Sequence, residues 1–126
     1  MAYRVSKEEF ALLVQRALDD LPPRFAEFIE EVPVEIRDRP TPQMLRTAGL
    51  GGGSLLLGLY HGHPRTRRSV EDSARLPDVI YVFQDSIEHI CNSEQDLIDQ
   101  VRKTVLHEIG HHFGMTEDDL DALGYG

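Results

Sequence analysis

The stretch TVLHEIGHHFGMTE, residues 104–117, is the most informative part of this 126-residue chain. It holds the pattern H-E-x-x-H, formed by His107, Glu108 and His111, in a segment whose apolar residues recur at helical spacing. Two histidines four residues apart lie on one helical face and can share a metal ion, and the adjacent glutamate can activate a water on that metal. This composition gives the pattern by chance only about 0.03 times, so the stretch predicts a metal centre on a helix.

The positions around this helix separate the two histidines from the core. On a helical wheel with Val101 at 0° and a rotation of about 100° per residue, an apolar face spans roughly 0° to 140°. Besides Val101, this face comprises Ile98, Val105, Leu106, Ile109 and Phe113. His107 and His111 fall near 240° and 280°, outside that face. A pair of histidines that only packed in the core would share the apolar face. His112 does lie on it, near 20°, so we interpret His112 as a packing residue rather than a ligand.

The end of the helix supplies candidates for a third metal ligand. Gly114 can adopt a positive φ, which would end the helix sharply and turn the chain back toward the metal. That turn would bring Glu117 to the third ligand position, where its spacing favours it over Asp118, and a water molecule is the other alternative. Glu117 also reads as a first-turn acid of a last helix capped by Thr116. The two roles are compatible, and both stay open.

Upstream of this helix the sequence predicts short helices and strands in one domain, residues 1–126. A capping box at Ser6 begins an amphipathic helix that Pro22 ends, and Pro33 confines the strand around it to a sheet edge. Asp38–Gly53, rich in glycine and proline, is expected to be a loop. The remaining expectations are a helix over Arg24–Glu31, strands over Val32–Arg37, Leu55–Tyr60 and Val79–Phe83, and helices that begin near Asp85, Ser93 and Thr116. This order indicates an α+β fold.

Charge and cysteine content limit the function classes. Residues 76–126 hold 2 basic against 11 acidic side chains and carry the whole net charge of −9. Because such a surface repels phosphate, we expect no nucleic-acid partner. The chain has no apolar run long enough for a membrane span and no signal sequence, so neither a membrane protein nor a secreted precursor is expected. Cys91 is the single cysteine, which excludes an internal disulfide and favours a cytoplasmic protein.

Other candidate residues are weaker. His61 and His63 could bind metal, but a polar loop after a strand is the preferred interpretation. A basic run at residues 65–68 is read as a solvated loop. Packing is the default for the remaining candidates, which are Tyr60, Tyr81, Tyr125 and Cys91.

The segment His107–Glu117 resembles the gluzincin and metzincin superfamily of zinc metallopeptidases. It is most similar to the small bacterial minimal zincins, whose pattern reads H-E-x-G-H-H-F-G-[ML]-[TS]-[DE]. The similarity continues upstream through Gly58–Gly62, Arg67–Ser69 and Leu76–Ile80, and it covers roughly residues 50–124.

The resemblance implies a fold and a set of roles. The fold would be a minimal zincin, with a small mixed β-sheet packed on an active-site helix and an N-terminal helix. His107 and His111 would bind Zn²⁺, with Glu117 in the place of the third histidine of metzincins, and Glu108 would be the catalytic acid and base. A sheet edge could hold an extended peptide.

We therefore expect a zinc metalloendopeptidase that hydrolyses peptide or protein substrates with a zinc-bound water, Glu108 serving as general base and acid. One alternative is a non-catalytic module that binds zinc or peptide, which the small size favours. A less favoured one is a metal-dependent endoribonuclease, since a bacterial family of these enzymes carries H-G-x-x-H-x-x-G-x-x-H. That family has glycine in place of Glu108 and histidine in place of Glu117.

Overall fold

The computed structural model describes residues 3–53, 55–62 and 78–122, apart from the side chains of residues 117, 120 and 121. The helices are α1 (Lys7–Asp19), α2 (Pro23–Glu31), α3 (Pro42–Thr47), α4 (Gln84–His89), α5 (Glu94–His112) and α6 (Glu117–Ala122), and the strands are β1 (Val34–Arg37), β2 (Gly58–His61) and β3 (Val79–Phe83). The predicted α+β class is confirmed. None of the described helices has the length and apolar character needed to cross a membrane.

The three strands form a small mixed sheet in the order β1-β3-β2. β1 runs parallel to β3, with Val34 opposite Ile80. β2 runs antiparallel to β3, with Gly58 opposite Val82. Pro33 directly precedes β1, and its carbonyl accepts a hydrogen bond from the Ile80 N–H at 3.0 Å. β1 lies at an edge of this sheet, as Pro33 predicted.

The long helix α5 lies between α1 and the sheet. Most of its apolar face is buried, and α1 buries Phe10, Leu13, Val14 and Ala17 against it. The buried residues of α5 include Ile98, Val101, Val105, Leu106 and Ile109. Ile80 and Val82 of β3 complete the same core. The expected arrangement of a small mixed sheet with an N-terminal helix and the motif-bearing helix is thus confirmed.

Hydroxyl side chains begin the two longest helices. Ser6 accepts a hydrogen bond from the Glu9 N–H at 3.0 Å, and Ser93 accepts one from the Asp96 N–H at 3.1 Å. Each bond satisfies a backbone donor that a helix N-terminus leaves without an intrahelical acceptor. Both helix starts agree with the sequence prediction.

Two predicted boundaries are wrong. The Asp38–Gly53 loop contains α3, whose N-cap Thr41 accepts a hydrogen bond from the Met44 N–H at 3.1 Å. A capping threonine followed by proline at the first helical position is a helix signal, which the glycines that follow the helix obscured. The strand predicted from Leu55 begins only at Gly58.

Candidate active site

The H-E-x-x-H motif occupies the last turns of α5, and its two histidine side chains meet. The Nε2 atoms of His107 and His111 are 2.9 Å apart. His107 is half-buried and His111 is exposed, so both rings are accessible from one side of the helix. Two nitrogens on a tetrahedral zinc ion would lie about 3.3 Å apart, from bond lengths of about 2.05 Å. Small rotations of the two rings would therefore let them hold one ion, and the pair fits zinc.

Glu108 lies on the neighbouring face of the same helix, against the sheet. Its Oε1 accepts a hydrogen bond from the Tyr60 N–H of β2 at 2.8 Å. Burial raises the pKa of the Glu108 carboxyl, whereas the Tyr60 N–H and then the imidazoles of His107 and His111 act to lower that pKa. A carboxyl group that has a raised pKa and lies beside two imidazoles is suited to take up and release a proton.

Gly58 allows β2 to come close enough to hold Glu108. A Cβ at position 58 would lie 2.5 Å from Thr104 Cγ2 and 3.0 Å from the Tyr81 carbonyl oxygen. Real Cβ atoms do not approach other atoms so closely, so only glycine lets the strand pack directly on α5 at this point. Tyr60 then follows two residues later, and its N–H reaches Glu108.

Gly114 ends α5 as predicted, with a φ of +79°. The Gly114 N–H donates to the His111 carbonyl at 3.0 Å, and the Met115 N–H donates to the Gly110 carbonyl at 2.8 Å. These two bonds form a Schellman motif, which satisfies the last carbonyl groups of a helix. The chain thereby turns three residues after His111, the second histidine of the motif, and α6 begins at Glu117.

The third ligand stays a prediction. The described part of α6 supports a capping role for its first turn: Thr116 Oγ1 accepts a hydrogen bond from the Asp119 N–H at 3.2 Å, and Asp119 accepts one from the Thr116 N–H at 2.9 Å. Among the described side chains, no group of three His, Cys, Asp or Glu residues is placed to hold a metal ion, and the choice among Glu117, Asp118 and a water molecule stays open. The side chain of Glu117 lies outside the described ones.

The model of the zincin-like metallopeptidase family matches residues 29–126 of the sequence. The chain belongs to this family. The match begins in α2 and therefore reaches further upstream than residue 50, where the motif resemblance begins. No protein with a curated description matches the sequence significantly.

A solved structure supports the fold assignment. The chain is similar to a conserved hypothetical protein of Thermus thermophilus, with a TM-score of 0.59 and 25% identity over 86% of this chain and 94% of that protein. Near-complete coverage of both chains means that the two proteins share one small architecture. The family assignment implies zinc binding, and the H-E-x-x-H motif is where the zinc ligands of such a fold are expected.

Aromatic rings pack the C-terminal end of α5 against α2 and β2. The His112 ring stacks on Tyr60 with centroids 4.5 Å apart, and it lies 5.4 Å from Phe28. The Phe113 ring lies 5.1 Å from Phe28. His112 is therefore a packing residue, as predicted, although it and Phe113 are exposed rather than buried in the core.

The weaker candidates within the described residues make other contacts. Tyr60 donates its hydroxyl hydrogen bond to Asp78 at 2.8 Å. The His61 ring lies 6.2 Å from that of Tyr81; strand alternation places both on the sheet face opposite α5. Burial, with smaller contributions from Asp96 and Glu88, raises the pKa of the Cys91 thiol to about 11, so it is a buried apolar group. His63, residues 65–68 and Tyr125 lie outside the described residues.

Sequence reasoning missed the backbone N–H of Tyr60 and the groove beside it. The groove is formed by residues before and in β2 and by one face of α5, namely Leu56, Leu57, Gly58, Gln100, Lys103, Thr104, His107 and Glu108. A backbone donor has no sequence signature. Gly58, within an apolar strand segment, was the one available signal, because such a glycine indicates a close approach of another backbone or side chain.

Proposed function

We propose that the protein is a zinc-dependent peptidase whose general base and acid is Glu108. The observation that carries this proposal is the placement of the Glu108 carboxylate, held by the Tyr60 N–H at 2.8 Å next to an imidazole pair whose Nε2 atoms are 2.9 Å apart. A zinc site that only stabilised the fold would not need a partly buried glutamate beside its ligands. The placement therefore favours a catalytic centre over a non-catalytic module.

In this proposal His107 and His111 hold the metal together with Glu117. Bound zinc would lower the pKa of a water molecule and polarise a peptide carbonyl. Tyr60 binds Glu108 through Oε1, so Glu108 is oriented before substrate arrives and proton transfer falls to its Oε2. Glu108 accepts the proton of the attacking water there and delivers it to the amine that leaves.

The burial of Glu108 matters for both halves of this proton transfer. Because burial raises the pKa of its carboxyl, the carboxylate binds a proton more strongly than an exposed glutamate does. It is consequently a better base toward the attacking water, and its pKa lies nearer to neutral pH, where a base and acid works most efficiently. The Tyr60 N–H acts in the opposite direction to burial, because a hydrogen bond to the carboxylate favours its ionised form.

We further propose that the substrate is an extended peptide or protein segment lying along β2. β3 pairs with β2 on one side, and no other strand of the described residues pairs with it. An extended peptide can add to such an edge through backbone hydrogen bonds. The same strand holds Glu108, so a peptide bond placed there would lie close to the base.

The proposed cellular context follows from the sequence. An acidic surface, with 11 acidic against 2 basic side chains over residues 76–126, disfavours a nucleic-acid substrate. We propose neither a nucleic acid nor a membrane as a partner. The buried, unpaired Cys91 is compatible with a cytoplasmic protein.

The proposal is tested by a hydrolysis assay on unstructured peptides, run on one preparation before and after metal removal. We expect the zinc-loaded protein to cleave peptide bonds, a chelator to abolish cleavage, and stoichiometric zinc to restore it, because the ion would polarise the carbonyl of the cleaved bond. A protein inactivated by heat and treated with zinc is the control for hydrolysis by free metal. Cleavage that is insensitive to the chelator, or no cleavage of any peptide after full zinc loading, would contradict the proposal.

A further inference from the structure

The two walls of the groove beside Glu108 differ in their chemistry. It has a volume of about 340 Å³ and runs between the segment Leu56–Gly58 and helix α5. The strand side of the groove presents Leu56 and Leu57, both half-buried. The helix side presents Gln100, Lys103 and Thr104, followed by the motif residues themselves. The groove is therefore continuous with the candidate catalytic centre.

The position of Lys103 in this groove follows from helix geometry. Lys103 precedes His107 by four residues, so the two side chains lie on the same helical face one turn, about 5.4 Å, apart. Gln100 donates a hydrogen bond to Thr104 Oγ1 at 3.1 Å, and Lys103 is the basic side chain on this wall besides the motif histidine His107. A substrate group within the groove would meet the ammonium within one helical turn of the scissile bond.

Lys103 makes no ion pair with any described residue. Asp99, the acid one turn before it, is engaged by Arg102 at 3.0 Å, and Arg102 also reaches Asp20 at 3.8 Å. Arg102 and Lys103 are the two basic side chains in residues 76–126. Lys103, which also borders a second depression lined by Asp20, Asp96 and Asp99, is thus the one of the two that forms no ion pair within the described part of the chain.

We propose that Lys103 is a specificity-determining residue that binds a carboxylate of the substrate in this groove. The inference rests on the proposed peptidase function and adds a substrate class to it. The apolar strand wall accommodates the methylene groups of a side chain, and the ammonium pairs with the carboxylate at its end. That carboxylate belongs either to an internal Asp or Glu or to the C-terminus of the peptide, and the two sources are separated below.

The negative net charge of −9 does not prevent this preference. At physiological ionic strength, charges on an exposed surface are screened beyond about 8 Å. The acids across the rest of the surface therefore act mainly on the rate of encounter, whereas contact between Lys103 and a carboxylate acts at close range. The same screening means that the preference weakens when the salt concentration is raised.

The test compares matched peptides that carry Glu or Gln at each position in turn around the cleaved bond, each with a free and an amidated C-terminus. We measure kcat/KM with the wild-type protein, and binding to the zinc-loaded Glu108→Gln variant, in which peptide is held but not cleaved. Either at one internal position or at the C-terminus, we expect the peptide with a carboxylate to have a roughly fivefold higher kcat/KM and affinity than its neutral counterpart, as for a partly exposed ion pair. Lys103→Glu is expected to reverse that preference. Lys7→Glu, the same substitution at the other lysine, far from the groove and paired with Asp38, should retain it.

Each outcome decides one of the two proposals. Equal values for Glu and Gln peptides at all positions and both termini, or a preference that Lys103→Glu leaves intact, would overturn the role of Lys103. A carboxylate preference in binding that Lys103→Glu reverses, without cleavage by the wild-type protein, would support the groove and overturn the peptidase function. A preference confined to free C-termini would identify the terminal carboxylate as the source. A preference at an internal position of amidated peptides would identify the side chain.

Discussion

Replacing Glu108 by glutamine is expected to lower kcat/KM for peptide hydrolysis by about 10²- to 10⁴-fold, the contribution typical of a general base and acid. Glutamine has the shape of glutamate and keeps an oxygen that can accept the Tyr60 N–H, which now binds Glu108 Oε1 at 2.8 Å. The side chain therefore stays in place and loses only its ability to take up a proton. The two imidazoles are unaltered, so bound zinc should be retained.

The free energy of unfolding of Glu108→Gln shows whether a loss of activity comes from a loss of folding. Because burial raises the pKa of Glu108, the ionised carboxylate is less favourable in the folded protein at neutral pH than in the unfolded chain. The neutral amide removes that penalty, so the free energy of unfolding should be unchanged or higher. Glu27→Gln, at an exposed position of α2, is the control with the same change in charge. Full activity in Glu108→Gln would remove the basis for assigning this residue the role of base and acid.

Gly58→Ala is expected to reduce both stability and activity. The added Cβ would lie 2.5 Å from Thr104 Cγ2 and 3.0 Å from the Tyr81 carbonyl oxygen, and overpacking of this kind costs about 1–3 kcal/mol of unfolding free energy. The clash would push β2 away from α5. Since the Tyr60 N–H would move with the strand, its hydrogen bond to Glu108 would lengthen, and we expect kcat to fall at least about tenfold.

Thr104 allows this explanation to be separated from a general effect of mutation. Thr104→Ser removes the Cγ2 methyl and keeps the hydroxyl that accepts a hydrogen bond from Gln100. Combined with Gly58→Ala, it should recover part of the lost stability and activity, with the 3.0 Å approach to Tyr81 still in place. Gly51→Ala, where an added Cβ meets nothing within 4 Å, is the matched control. Chemical denaturation and steady-state kinetics measure both quantities, and a double variant no better than Gly58→Ala would refute the steric account.

The sequence predicted the parts of the fold that local chemistry encodes. Helical spacing of apolar residues, together with the capping residues Ser6 and Ser93, gave the two main helices. The positive φ that spacing predicts for Gly114 is present, at +79°. These features depend on neighbours a few residues away, so the sequence contains them directly.

What the sequence could not supply are contacts between distant segments. Tyr60 and Glu108 are 48 residues apart, and the bond between them depends on how β2 lies across α5. The helix α3 was missed because its capping threonine lies between two prolines and the glycines that follow the helix predict a loop. The role of Lys103 was equally hidden, because an exposed lysine acquires meaning only when the opposite wall of the groove is known.

The third metal ligand is only partly predictable from the sequence. Spacing after Gly114 places an acid, Glu117, where a ligand is needed, and the first turn of α6 is capped by reciprocal hydrogen bonds between Thr116 and Asp119. Glu117 as the third ligand, with Asp118 or a water molecule as the alternatives, remains a prediction.

The most direct test of the zinc centre is the metal content of the untagged, purified protein by mass spectrometry. We predict about one zinc per chain in the wild-type protein and in Glu108→Gln, since a catalytic zinc site binds the ion through its three ligands and not through the base. His111→Ala should lose the zinc, because it removes one of the two imidazoles whose Nε2 atoms are 2.9 Å apart. A wild-type protein that takes up no zinc when the ion is supplied, or a His111→Ala variant that retains a full equivalent, would contradict the account.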